Sequence, residues 1–130
     1  MRALAREVAF KKIFETLFTQ SNETLDCFFE NDNLVEQQDR DFANLLVNKY
    51  LENQQQIESL INNNLVNFVP ERVYRVDRAI LSTAVCELFY VKETPLAVVI
   101  NEAVKMAKKY GTDKSYAFVN GVLKSIIKEL

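Results

Sequence analysis

The hydrophobic positions of this chain recur at intervals of three and four residues over most of its length, the period of a helix with one buried face. In residues 3–19 the series Phe10, Ile13, Phe14, Leu17 and Phe18 predicts an amphipathic helix. A short helix follows over 23–30, with Leu25, Phe28 and Phe29 inward. Asp39 or Asp41 can cap a long helix to about Leu65, with Phe42, Leu45, Leu46, Tyr50, Ile57, Leu60 and Ile61 on its buried side. The run Asn62–Asn64 and then Pro70 end it. Pro70 reads as the first helical residue of the next segment, which runs to about Val91 and is apolar on nearly every side. Such a helix belongs at the centre of a bundle. Thr94-Pro95 predicts a cap and an N1 proline for a helix ending at Tyr110, with Lys108 and Lys109 in its last turn and Gly111 beyond. Thr112 and Asp113 then cap a last helix whose core face is Val119, Val122, Leu123, Ile126, Ile127 and Leu130.

Composition narrows this to an all-α fold. Gly and Pro together number 4 of 130 residues, about 3% against roughly 12% on average. A chain so poor in turn formers makes few tight turns, which argues against a sandwich or barrel. There is no histidine, so His-dependent nucleophile systems and His-containing metal sites are excluded. Cys27 and Cys86 are far apart and form no CxxC motif, and they read as small buried hydrophobes. No Gly-rich phosphate loop, paired carboxylate spacing or metal cluster stands out, so neither catalysis, a cofactor nor a metal is expected. The N-terminus lacks the apolar core of a secretory signal, and no run of 18 apolar residues could cross a membrane. A reducing, cytoplasmic setting is expected.

The net charge is −2, but it is unevenly placed. Residues 21–71 hold 10 acids and 2 bases, whereas 1–20 hold 4 bases and 2 acids and 72–130 hold 10 bases and 6 acids. Basic flanks around an acidic middle fit either a polyanion-binding face or a chance segregation over solvated helix faces. Two features bear on the choice, and each can be read either way. Arg2 and Arg6 lie near the start of the first helix, where the dipole is already positive; such a terminus can bind an anion, or simply fray into solvent. On the last helix Phe118 projects about 110° from the centre of the core stripe at 100° per residue, with Lys114, Gly121 and Ser125 on its side. A ring beside a cation can stack on an unpaired base, or pack on a neighbouring helix.

Several strings carry a resemblance. VDRAIL (Val76–Leu81), ETPLAVVINEAV (Glu93–Val104), AKKYG (Ala107–Gly111), FVNGVL (Phe118–Leu123) and, at the start, AREVAFKKIF (Ala5–Phe14) closely resemble the NusB family of transcription antitermination proteins in order and spacing. The acidic middle matches only in helix pattern. The resemblance implies a helical bundle of about seven helices in two lobes, about 1–70 and 71–130, within one domain. It implies a non-catalytic, bacterial RNA-binding adaptor. Its partners would be boxA-type single-stranded RNA, the small-subunit ribosomal protein NusE, and an RNA polymerase elongation complex carrying other Nus factors on ribosomal RNA operons.

Carried over by position, the resemblance gives RNA contacts to Arg2, Arg6, Tyr110, the loop Gly111, Thr112, Asp113, Lys114 and Ser115, and the stacking ring Phe118. Lys12 joins the arginines as an expected phosphate contact. Phe14 and Asp77 fall on the NusE-facing surface. The sequence departs from the family pattern at Ala3 and Leu4, which interrupt the arginine run. Lys114 stands where an acid is usual, Ser82 where an arginine is common, and Tyr116-Ala117 where His-Lys is frequent. Competing readings are an interaction module that binds NusE but not RNA, the N-terminal region of a ribosomal-RNA cytosine methyltransferase, and a homodimer burying the Arg2–Phe14 face.

Overall fold

A computed structural model describes residues 2–17, 36–66 and 68–130. Among them six α-helices form: α1 (Arg2–Thr16), α2 (Gln37–Glu52), α3 (Gln54–Asn63), α4 (Arg75–Cys86), α5 (Leu96–Tyr110) and α6 (Ser115–Ile126). No strand occurs among the described residues. The helix expected over 23–30, Phe18 and Cys27 lie outside them.

The apolar segment before Val91 is the centre of the bundle, as its all-round hydrophobicity requires. Every residue from Ala79 to Leu88 is buried. Helix α4 packs against α1, α2, α3, α5 and α6, so helices from both halves of the chain share one core. Its buried hydroxyls are satisfied locally. Thr83 donates back to the Ala79 carbonyl at 2.8 Å, and Ser82 donates to Glu58 at 2.8 Å. Glu58 also receives Tyr50 at 3.0 Å and Arg78 at 2.7 Å, tying α2, α3 and α4 together. Burial and the Glu58 charge push the Tyr50 phenol well above its ordinary pKa.

Helix α4 leaves in a wide π turn, Glu87–Val91, closed by the Lys92 N–H on the Glu87 carbonyl at 2.9 Å. Lys92 takes a left-handed conformation at φ 60°. An L side chain pays for that geometry with roughly 1–2 kcal/mol. Pro70 opens a separate 3₁₀ turn, Pro70–Arg72, and not α4 itself, which begins at Arg75.

Other boundaries also depart from the sequence expectation. The long helix breaks at Asn53, where φ −124° and ψ 22° leave the helical region. The Asn53 amide donates to the Lys49 carbonyl at 2.9 Å and its backbone N–H to the same oxygen at 3.1 Å. A short amide side chain thus adds a second donor to the carbonyl that the last helical bond already uses. The helix also starts earlier, at Gln37, with Asp39 buried in its first turn rather than capping it. Pro95 is the residue before α5, one place earlier than expected. Leu130, expected in the core, is 53% exposed. The 3₁₀ turn Ile127–Glu129 changes the register after Ile126 and turns it outward.

Candidate nucleic-acid interface

The end of α5, the loop after it and the start of α6 form one continuous feature beside α1. Gly111 makes the connection tight. Its φ is −93°, so no left-handed geometry is involved; the requirement is space. A Cβ there would fall on the Ser115 side chain and lie 2.7 Å from the Ala107 carbonyl oxygen. The Gly111 N–H closes α5 on that same carbonyl at 2.9 Å. The Thr112 N–H then donates to the Ser115 hydroxyl at 2.8 Å, and the Ser115 N–H returns to the Thr112 carbonyl at 3.1 Å. Thr112, Asp113 and Lys114 are left exposed on a rigid corner, while Ser115 is buried beneath them.

Tyr110, just before this corner, lies against α1. Its ring centroid is 5.1 Å from that of Phe10, which in turn is 6.3 Å from that of Phe14. The Lys11 and Lys109 ammonium groups stand 5.6 and 5.3 Å from the Tyr110 ring centroid. Lys109 also pairs with Glu7 at 2.8 Å, and that bond, followed by the Glu7 charge, raises its pKa. Lys108 lies 5.3 Å from the Tyr116 ring. Aromatic rings and ammonium groups therefore alternate along this edge, an arrangement suited to stacked bases and their phosphates.

Phe118 is half-buried and separates two small cavities. On one side a cavity of about 160 Å³ is lined by Phe68, Arg72, Tyr74, Asp77, Thr112 and Lys114, with Val73 and Ser115. On the other, about 240 Å³ lies between Asn64, Val66, Phe68, Gly121 and Ser125, with Ala117 and Val122. Phe68 meets the Phe118 ring edge-on at 4.9 Å and 65°. Ser125 donates to Asn64 at 2.7 Å, whereas a Cβ on Gly121 would have nothing within 4 Å. The face that the wheel placed off the core is thus partly roofed by the segment before α4, with Gly121 its open part.

The expected arginines separate. Arg2 is exposed: its guanidinium sits 4.4 Å above the Phe42 ring centroid and pairs with Glu93 at 3.5 Å. Arg6 is only 6% exposed and makes two hydrogen bonds of 2.7 Å to Glu87. Burial lowers its pKa, but the Glu87 bond and charge outweigh this and raise it. Lys12 is also buried, and its Nζ has no hydrogen-bond partner. Neither cation is on the surface, contrary to their expected placement as phosphate contacts. Residue 12 lies one and two turns beyond Val8 and Ala5, both buried, so the period already put it on the packed face. Lys11, one position earlier and exposed, was missed.

Asp77 is buried, and its Oδ1 has no hydrogen-bond partner. Burial pushes its carboxyl above the usual carboxylate range, with the Ser115 hydroxyl acting in the opposite sense. The structure brings Asp77 together with Lys114, Ser115 and Phe118, while Phe14 packs on the core beside Phe10.

Comparison with known proteins decides the family. The NusB family profile matches residues 3–128. The chain belongs to the NusB family. Relatives named transcription antitermination protein NusB include that of Clostridium novyi, 38% identical over 130 residues and covering 98% of each chain. That of Bacillus subtilis is 37% identical, covering 99% of this chain and 96% of its own. Among solved structures, NusB of T. maritima superposes with a TM-score of 0.86 at 34% identity, over 99% of this chain and 92% of that one. A structure of antitermination factors NusB and NusE in complex with dsRNA matches with a TM-score of 0.90 at 29% identity, over 99% and 97%. Among the described residues no helix is long and apolar enough to cross a membrane, and no group of three His, Cys, Asp or Glu could hold a metal.

Proposed function

We propose that this protein is a non-catalytic transcription antitermination factor that binds RNA together with NusE. Family membership supports the role. The observation that carries the site is the continuous edge formed by Tyr110, the Gly111–Ser115 corner and Phe118, flanked by Lys11, Lys108, Lys109 and Lys114. On this reading Arg2 and the four lysines hold phosphates, which gives affinity and salt dependence but little sequence information. Tyr110 and Phe118 take splayed bases of a boxA-type single strand, and Thr112 and Asp113 offer polar contacts to base edges. Arg6 acts through Glu87, fixing α1 against the π turn that follows α4 so that Arg2, Lys11 and Phe14 are held in place. Phe14 lies at the edge of the NusE-facing surface. Asp77, expected on the NusE-facing surface, is buried and instead shapes the wall beneath Lys114 and Phe118.

Each cation on this face has an acid or a ring nearby, and the chain as a whole is slightly acidic. Binding by the protein alone is therefore weak. A basic partner with its own RNA surface raises affinity by joining two weak contacts. In the cytoplasm the pair would load onto RNA polymerase transcribing ribosomal RNA operons. Sedimentation of the protein with NusE and a boxA-type oligonucleotide tests this: a 1:1:1 complex supports the proposal. A protein–NusE pair that excludes RNA would favour a pure interaction module, and a homodimer that excludes NusE would favour self-association.

A further inference from the structure

The outer face of the α5–α6 hairpin carries a groove of about 530 Å³ that the RNA reading does not use. Leu96, Ile100 and Val104, each one turn after the last, form one wall; Tyr116, Asn120 and Lys124, at the same spacing on α6, form the other. Leu96 is 42% and Tyr116 46% exposed, and both line this one groove. Two parallel stripes of this kind leave a trough in which a third helix can lay an apolar face at i, i+3, i+4 and i+7.

Charge narrows the occupant. Lys124 lines the groove and Lys108 stands at its Tyr116 end; no carboxylate lines it. Of the neighbouring acids, Glu102 pairs with Lys105 at 3.6 Å and its charge acts on Arg6, Glu129 accepts from Asn64 at 2.7 Å, and Asp113 lies beyond Tyr116 on the loop, outside the groove lining. The floor is aliphatic with a single aromatic ring, a poor succession of stacking platforms for bases. We infer that this groove receives an amphipathic helix of a partner protein, apolar along one face and acidic along its margins. The groove meets the proposed RNA edge at Tyr116, which also borders Gly111, Thr112 and Asp113. A helix seated there lies next to the RNA without covering Tyr110 or Phe118.

Two synthetic 16-residue helices with the same leucine spacing, one flanked by Glu and one by Lys, test this on the full-length ¹⁵N-labelled protein. The expected result is that the Glu-flanked peptide binds at least tenfold more tightly and shifts the amides of Ile100, Val104 and Asn120. Lys124→Glu, on an exposed position that leaves folding intact, should remove at least tenfold of that affinity, and Val104→Glu should abolish binding while far-UV circular dichroism is retained. Equal binding of the two peptides, no binding, or shifts centred on another face would overturn the inference. So would displacement of the Glu-flanked peptide by a single-stranded oligonucleotide that shifts the same amides, since the groove would then be an RNA path.

Discussion

Replacing Arg6 with Ala separates a structural arginine from an RNA-binding one. In the native fold Arg6 and Glu87 form a two-pronged pair, both bonds 2.7 Å long, with side chains 7% and 1% exposed. Removing the guanidinium leaves the Glu87 carboxylate in the core without its partner. Breaking a buried pair in this way costs about 3–5 kcal/mol. At about 2.1 cal/mol/K per residue, a domain of this length has an unfolding entropy of about 0.27 kcal/mol/K, so the melting temperature should fall by about 11–18 °C. Urea unfolding of R6A should show the same loss as a lower midpoint with an unchanged slope. Replacing both partners by Met should recover most of it, because the desolvation cost of the pair disappears with the pair. At a temperature where R6A remains folded, its RNA affinity should fall only as far as α1 loosens. An R6A protein with an unaltered melting temperature and RNA binding weakened tenfold or more would refute the reasoning, for Arg6 would then be spending its charge on phosphate.

Further outcomes follow from the same geometry. Phe118→Ala should weaken RNA binding in the NusE-containing complex by about 1–3 kcal/mol if the ring stacks a base; fluorescence anisotropy reads this directly, and an unchanged affinity in a folded variant removes Phe118 from the site. Gly111→Ala should destabilise the protein by about 1–3 kcal/mol through overpacking against Ser115 and the Ala107 carbonyl. Gly121→Ala, facing open space, should instead stabilise it by about 0.5–1 kcal/mol; thermal melts of the two variants should move in opposite directions. Cys86 is fully buried and donates to the Leu46 carbonyl at 3.2 Å. Burial first, and then the Glu87 charge, pushes its thiol from an ordinary value of 9.0 up to about 12. The unfolded thiol ionises near 9 while the folded one keeps its proton, so this group's stabilising contribution is complete below pH 9 and is lost as pH rises toward 12. In a Cys27→Ser background, a thiol reagent at pH 8 should label Cys86 slowly in the native protein and rapidly in urea; rapid native labelling would contradict this burial.

Much of this architecture is legible in the period of the apolar residues, because a helix in a bundle must keep one face dry. The all-round apolar run from Ala79 to Leu88 could only be central, and it is. Boundaries were less legible where a side chain bonds the local backbone: nothing in the spacing of Tyr50 and Ile57 reveals that the Asn53 amide joins its own N–H on the Lys49 carbonyl. The site divides in the same way. The Tyr110–Ser115 corner is punctuated by Gly111 and could be placed from sequence. The fate of the charges could not, because whether an arginine faces solvent or a buried acid depends on a partner 81 residues away. Arg6 and Glu87 have no local signature. Lys11 and Lys12 could have been told apart, since only residue 12 shares the stripe of Ala5 and Val8.

The central claim is that this protein and NusE together make one RNA-binding surface. Fluorescence anisotropy of a labelled boxA-type RNA, with the protein alone and with NusE across a series of salt concentrations, tests it most directly. The account predicts weak binding alone, tight binding with NusE, and log K falling with log salt at a slope of about −0.7 per phosphate contact. RNA affinity that NusE leaves unchanged, or that salt does not affect, would contradict it.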